Sequence, residues 1–282
     1  MRWWPGNIAA LKLGMDGMTS DADGPGSGTV ARAVHFMRYF ASHPEVTIKE
    51  LSAAMKVTPS TCHRLLLLLA SEGIVTHVKA RRTYEIGPEY CRMAAQVQSH
   101  NPFPKIIQEK LKEMVIDYDE TCIFSSYIPA KRKMVFSEKV ESSRPLRYQL
   151  LLNEPMTVFW GATGRVIFAN LPAAEREAIY NQETVAPASG EPLPGRVELQ
   201  AELDRIVAQG YSITIGQKTP GSVGIAGPVY NAENLVIGSV GFTIPQSQIS
   251  RYDLAELGHY VARKAEEISA MLGAIRPPAA AS

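Results

Sequence analysis

Ser60, Thr61, His63 and Arg64 fall within five positions, directly after the pair Thr58-Pro59. Hydroxyl, imidazole and guanidinium groups crowded at one point of a chain suit hydrogen bonding to base edges and phosphates, with arginine to guanine the commonest specific contact. Other chemistries find less to work with. Thr219-Pro220-Gly221-Ser222-Val223-Gly224 lacks the G-x-S-x-G turn that exposes a nucleophilic serine. No pair of carboxylates stands out from the scattered acids. Cys62-His63 are neighbours inside the basic cluster and His259 is alone on a helix, so no metal-ligand spacing forms, and a lone helical histidine is most often structural. The glycines of GATG and PGSVGIAG do not make a dinucleotide fingerprint. Catalysis, a bound metal and a cofactor are therefore not expected.

The elements that position the cluster are legible on both sides of it. In TIKELSAAMKVTPSTCHR, Thr47 and Glu50 have the spacing of a capping box. Ile48, Leu51, Ala54 and Met55 share one helical face. Lys56-Val57 reads as a turn, Thr58 as the next cap, and Pro59 as a first helical residue whose missing N–H leaves nothing unsatisfied. The second helix is predicted from Pro59 to about Ser71, with Leu65, Leu66, Leu68 and Leu69 inward. After Glu72-Gly73 the period changes. Residues 74–78 and 83–86 read as strands around Lys79-Ala80-Arg81-Arg82, a hairpin with a basic tip. Such a wing lies against phosphates or enters the minor groove beside a helix that reads the major groove. The candidate DNA contacts are Thr47, Thr58, Ser60, Thr61, His63, Arg64, Lys79, Arg81 and Arg82. The competing reading, a winged helix that binds another protein, does not account for the basic first turn and tip.

Charge is distributed accordingly. The chain of 282 residues carries a formal +1, yet residues 29–88 hold eight Lys/Arg against four acids, a local +4 that leaves −3 elsewhere. A basic module joined to a mildly acidic body suits a regulator with one DNA-facing part. Three cysteines, Cys62, Cys91 and Cys122, form no framework, which points to a reducing cytoplasm. No apolar run approaches the roughly 18 residues that span a bilayer. The opening MRWWPGNIAALKLGMDGM lacks a clean signal-peptide pattern. It reads as a tail or a misplaced start, with Met15 and Met18 as alternatives, followed by a flexible linker at residues 19–28.

A first helix is expected over residues 29–40, with Val30, Ala33, Val34, Met37 and Phe40 on its inner stripe. Residues 88–100 read as a connecting helix and 104–118 as another amphipathic one. Strands are expected at 121–128, 134–140 and 146–152, helices at 163–169, 173–181 and 196–209, and strands again at 211–215, 223–230 and 235–243. A long amphipathic helix closes the chain over 252–272. Helices flanking an antiparallel sheet make an α+β sensor-like domain. The expected division is a tail over 1–28, a winged helix-turn-helix over 29–88, a linker helix over 89–102, a C-terminal domain over 103–273 and a tail over 274–282.

The motifs PSTCHRLLLLLASEGIV, RRTYEIGPEY, SEKVESSRPLRY, GATGRVIFANLPAAEREAI, LDRIVAQGYSI, PGSVGIAGPVYNAENLVIGSVGFTIP and the closing ISAMLG occur in that order. Over residues 29–273 the chain resembles the isocitrate-lyase-regulator (IclR) family of bacterial transcription factors. The resemblance implies a winged helix-turn-helix, a linker helix and a GAF-like effector domain with an antiparallel sheet. It also implies a small organic acid or aromatic metabolite as effector, operator double-stranded DNA as partner, and homodimers that pair into dimers of dimers. Carried over motif by motif, the effector contacts would be Ala162, Thr163, Gly164, Thr214, Gly224, Gly241 and Thr243, with Tyr148 a further position. The chain departs from the family where an acidic run is usual after the GYSI-like strand, since residues 214–219 (TIGQKT) contain no acid. Gly224 and Gly241 stand where larger polar residues are common. These departures predict a roomier, less charged pocket. Phe159 and Trp160 either extend it toward an aromatic acid or are ordinary core or dimer-interface aromatics.

Overall fold

A computed structural model describes residues 29–101 and 103–275, which divide into two compact units between residues 102 and 103. The expected N-terminal tail and most of the C-terminal one lie outside the described residues.

The first unit contains α1 (Thr29–Ser42), β1 (Glu45–Val46), α2 (Ile48–Met55), α3 (Pro59–Ser71), β2 (Val75–Val78), β3 (Thr83–Ile86) and α4 (Pro88–Ser99). Thr47 caps α2 through a complete capping box. Its hydroxyl accepts from the Glu50 N–H at 3.2 Å, and its own N–H donates to the Glu50 carboxylate at 2.8 Å. Lys56 takes the left-handed turn conformation that ends α2, and Thr58 caps α3. Thr47→Ala is expected to lower the stability of this unit by about 1 kcal/mol, with Thr47→Ser restoring most of it. Urea unfolding of the two variants checks this.

Two inner stripes differ from the expected ones. In α3 the buried residues are Cys62, Leu65 and Leu66, with Leu69 half-buried, whereas Leu68 is 56% exposed. A run of five leucines has no period of its own, so Cys62, one turn earlier, sets which of them point in. In α1, Phe36 and Phe40 are buried while Val30 is 79% exposed, because two aromatic rings outweigh two valines in claiming the core. β1 was not anticipated. Its two residues pair with Glu85 and Tyr84 of β3, making the sheet order β1-β3-β2. The start of α4 is tied to the turn that follows α3. The Gly87 N–H donates to the Ile74 carbonyl at 2.8 Å, and the Glu89 N–H to the Gly73 carbonyl at 3.1 Å.

The second unit contains α5 (Phe103–Tyr118), β4 (Thr121–Ile128), β5 (Lys133–Val140), β6 (Met156–Thr157), α6 (Ala162–Ala169), α7 (Ala173–Tyr180), α8 (Arg196–Gln209), β7 (Ser212–Ile215), β8 (Ser222–Tyr230), β9 (Val236–Pro245) and α9 (Leu254–Met271). All pairings in its six-stranded sheet are antiparallel, in the order β6-β5-β4-β9-β8-β7. Alternate strand residues serve opposite layers. Cys122, Phe124, Val223, Ile225 and Phe242 pack with α5 and α9. Ile123 and Ala226 pack with α6 and α8. This is the expected α+β sensor architecture.

Residues 146–152 are a strap rather than a strand. Side chains bind its backbone carbonyls, with Gln248 donating to Leu146 at 3.4 Å and Lys139 to Leu150 at 3.2 Å. The next sheet neighbour is instead the two-residue β6. Phe159 and Trp160 are buried core aromatics, as the plainer of the two readings had it.

Candidate functional site

The first turn of α3 is built to present polar groups. The Thr58 hydroxyl accepts from the Thr61 N–H at 3.2 Å and shares hydrogen bonds with the Ser60 and Thr61 hydroxyls, each at 3.0 Å. That leaves Thr58 and Thr61 committed to the helix start, as Thr47 is to its capping box. Ser60, His63 and Arg64 are exposed, and among the described residues neither His63 nor Arg64 is in an ion pair. One turn on, Leu67 continues the same outward stripe at 53% exposure. Nothing in an unbroken run of five leucines marks it out. An exposed leucine beside polar groups on a helix matches the apolar contact that a thymine methyl offers.

The hairpin tip does not present its basic residues equally. Glu45 and Glu85 sit directly opposite each other on β1 and β3, and Arg81 bridges them, 3.1 Å from Glu45 and hydrogen-bonded to Glu85. Two like charges in one cross-strand pair repel, so this arginine is held by the wing itself. Thr83 adds a hydrogen bond to Glu45 at 2.7 Å. Lys79 and Arg82 are exposed at the tip, Arg82 in the left-handed region (φ 55°).

In the second unit, Thr121, Thr243, Gly224 and Thr214 form one cross-strand row over β4, β9, β8 and β7, on the face that carries α6. A side chain at Gly224 would lie 3.2 Å from the Ala162 Cβ, so the missing one is what lets the first turn of α6 rest on the sheet. Ala162, Thr214, Gly224 and Thr243 are thus brought together. Thr163 is buried beside Ala162, and its backbone carbonyl accepts from the buried Ser239 hydroxyl at 3.0 Å. Gly164 abuts the Val158 backbone and Gly241 abuts the Ile225 carbonyl. Tyr148 donates to the Pro220 carbonyl at 2.9 Å and walls a cleft of about 490 Å³ with Leu146, Gly221 and Pro245, one step beyond the threonine row.

The N-terminus of α6 has no side-chain cap, and Ala162 and Thr163 are both buried there. Its leading N–H groups have no intrahelical acceptor by construction. Two charged side chains near this end went unnoticed in the sequence. Lys218, from the loop after β7, lays its stem over Gly161, which takes φ 78° at the N-cap. The expected less-charged character of this loop is thus offset by a cation. Arg165, in the next turn of α6, is 1% exposed. It lies 4.3 Å over the Phe159 ring and 3.4 Å from the Glu202 carboxylate, and its Nε and Nη1 have no hydrogen-bond acceptor among the described residues. Neither direction is readable from sequence, since each depends on the path of the chain around α6.

Comparison with known proteins decides the family. The model for the IclR helix-turn-helix domain matches residues 29–79, and the model for the bacterial transcriptional regulator IclR C-terminal domain matches residues 95–270. The chain belongs to the IclR family. Among its relatives, HTH-type transcriptional regulator Rv1719 of Mycobacterium tuberculosis is 28% identical, over 82% of this chain and 87% of its own. XynR of Escherichia coli is 25% identical, over 87% and 97%. An IclR regulator structure from Silicibacter superposes with a TM-score of 0.77 at 21% identity, covering 90% of this chain and all of the other. An IclR homolog from Microbacterium hydrocarbonoxydans, crystallised with 4-hydroxybenzoate, gives 0.73 at 15% identity, over 87% and 99%. This IclR-family chain is accordingly a transcriptional regulator with an N-terminal helix-turn-helix DNA-binding domain and a C-terminal effector domain. Among the described residues no helix is long and apolar enough to cross a membrane, and no group of three or more His, Cys, Asp or Glu is placed to hold a metal.

Proposed function

We propose that this regulator reads its operator with Ser60, His63, Arg64 and Leu67 of α3, positions itself on phosphates with Lys79 and Arg82, and alters operator affinity when a small organic acid binds beside the first turn of α6. The observation that carries the DNA reading is that His63 and Arg64, at the capped start of α3 and next to a basic wing tip, are exposed and in no ion pair among the described residues. Support for the acid is the uncapped, buried N-terminus of α6, which favours negative charge. With Phe159 and Trp160 in the core, they no longer argue for an aromatic ligand. Aromatic carboxylates are tested because of the 4-hydroxybenzoate held by the Microbacterium relative.

The working unit is a cytoplasmic homodimer, or a dimer of dimers. α4 supports this by exposing Met93 and Val97 one turn apart, an apolar strip suited to a partner helix. Ligand acts by population shift, favouring one arrangement of two winged helices through α4.

Fluorescence anisotropy on the DNA upstream of the protein's own gene, against scrambled DNA of equal length, tests the reading. Tight, salt-sensitive preference for the native sequence is expected, because each phosphate contact releases counterions. Salt-insensitive binding, or none to any genomic fragment, would favour a winged helix that docks on protein.

A further inference from the structure

We propose that the strap is a flap over the end of the threonine row, fastened at its tip by Tyr148, and that a small molecule reaches the row when this tip lifts. The proposal rests on the reading of an effector domain for what passes, and goes beyond it in naming the way in.

The row needs an entrance. Thr121, Thr214 and Thr243 are buried, and so is Ala162 above them. The strap runs along the sheet end where β4 and β8 start and β9 finishes, and its contacts follow the order of the strands. At β4 the Ser142 N–H donates to the hydroxyl of Thr121, the first member of the row, at 3.2 Å. In the turn after β9, the Gln248 amide donates to the Leu146 carbonyl at 3.4 Å. Ahead of β8, the Tyr148 hydroxyl donates to the Pro220 carbonyl at 2.9 Å and lies 3.2 Å from where a side chain on Gly221 would begin. The chain then returns to β5. There Lys139 donates to the Leu150 carbonyl at 3.2 Å, and the Asn153 N–H donates to the Phe136 carbonyl at 2.8 Å. Tyr148 is therefore the far point of an excursion whose two roots are both on the side of β4 and β5.

Roots and tip are held unequally. At the first root Arg144 donates to the Glu120 carboxylate at 2.8 Å, and to the Tyr118 carbonyl and the Gln248 amide oxygen at 3.2 Å each. The Ser143 N–H adds a bond to the Asp119 carboxylate at 2.8 Å. Between the roots, residues 145–152 make no backbone–backbone hydrogen bond among the described residues. Leu146 and Arg147 are exposed, and at the tip it is the Tyr148 ring that packs on the core shared with Ala162 and Ala226. A segment with so few buried contacts opens locally at a fraction of the cost of unfolding its domain. The cleft walled by Leu146, Tyr148, Gly221 and Pro245 lies at this tip. Pro245 pairs with Ser222, two residues along each strand from the Gly224 and Thr243 pair and on the same face of the sheet. Lifting the tip thus joins the cleft to the row while both roots stay in place.

The test is thiol accessibility in the full-length protein carrying Thr243→Cys, treated with iodoacetamide under native conditions and read residue by residue by mass spectrometry. Exposed Cys91 calibrates the reagent, and Cys122, buried on the opposite face of the same sheet, reports opening of the whole domain. The introduced thiol is expected to react well before Cys122. Adding Tyr148→Phe, which keeps the ring and removes the latch, should speed it about fivefold, the effect of one hydrogen bond, and leave Cys122 unchanged. Thr214→Cys, on the same row, serves if the first variant does not fold by circular dichroism. Equal acceleration of both thiols would mean that Tyr148→Phe loosens the domain and not a flap, and no acceleration of either would place the entrance elsewhere; each overturns the proposal. Calorimetric titration with benzoate and 4-hydroxybenzoate is read separately. Absence of binding removes the acid reading and leaves the flap standing, whereas binding with a thiol rate indifferent to Tyr148→Phe removes the flap and leaves the acid.

Discussion

Gly241→Ala is expected to unfold the C-terminal unit or reduce it to insoluble protein. A Cβ at this position would stand 1.9 Å from the Ile225 carbonyl oxygen and 2.8 Å from the Ala226 Cα. Both obstacles are backbone, and both belong to β8, the hydrogen-bonded neighbour of β9 in the middle of the sheet. No rotamer change relieves the clash, so the two strands must part and lose ladder hydrogen bonds. A cost of about 4 kcal/mol or more follows, at the far end of what single substitutions do and a large share of a domain's usual stability. Gly224→Ala is the contrast. Its nearest obstacle is the Ala162 methyl at 3.2 Å, which can yield by a few tenths of an ångström, at about 1 kcal/mol. That change shifts the first turn of α6 and should weaken ligand more than it weakens the fold. Soluble expression and urea unfolding of the two variants separate them. A Gly241→Ala protein that unfolds like wild type but loses ligand would make Gly241 a ligand contact and not a strand contact.

The second large effect belongs to the DNA interface. Arg64→Ala should remove about 1–3 kcal/mol of discrimination between the operator and other sequences, with little change in non-specific affinity. Arg82→Ala should weaken both alike and reduce the slope of log affinity against log salt by about 0.9, one phosphate contact. Arg81 is expected to behave differently from its neighbour despite sharing the wing tip. It is already bound between Glu45 and Glu85, so Arg81→Ala should leave the salt slope nearly unchanged and instead loosen β1 from β3 by leaving two facing carboxylates. Salt titrations of all three variants on operator and scrambled DNA distinguish these outcomes. Equal losses for Arg64→Ala on both DNAs would move base reading elsewhere on α3.

These expectations draw unevenly on sequence and on structure. The bounds of α3 were legible because a capping threonine followed by proline marks a helix start by local chemistry alone. The strands β4, β8 and β9 were legible because long apolar runs between turn residues leave few alternatives. The inward leucines were not, since five in a row satisfy any phase. β1 was not, since two residues carry no pattern and hold only through their pairing with β3. The strap at residues 146–152 has strand-like composition, but the partners of its carbonyls are side chains distant in sequence. At the candidate effector site, the motif-derived positions Thr214, Gly224 and Thr243 lie on one cross-strand row, whereas Lys218 emerged only from the path of the loop that carries it.

The hydrogen bonds from Gly87 and Glu89 back to Ile74 and Gly73 join α4 directly to the turn between α3 and the hairpin of β2 and β3. The twelve residues of α4 then form a lever roughly 18 Å long, at about 1.5 Å per residue. A tilt of about 10° at its far end carries the near end through roughly 3 Å, on the order of the 3.4 Å rise of one base pair. In the proposed coupling through α4, an arm of that length would turn an angle too small to disturb a domain core into a full step of register on DNA.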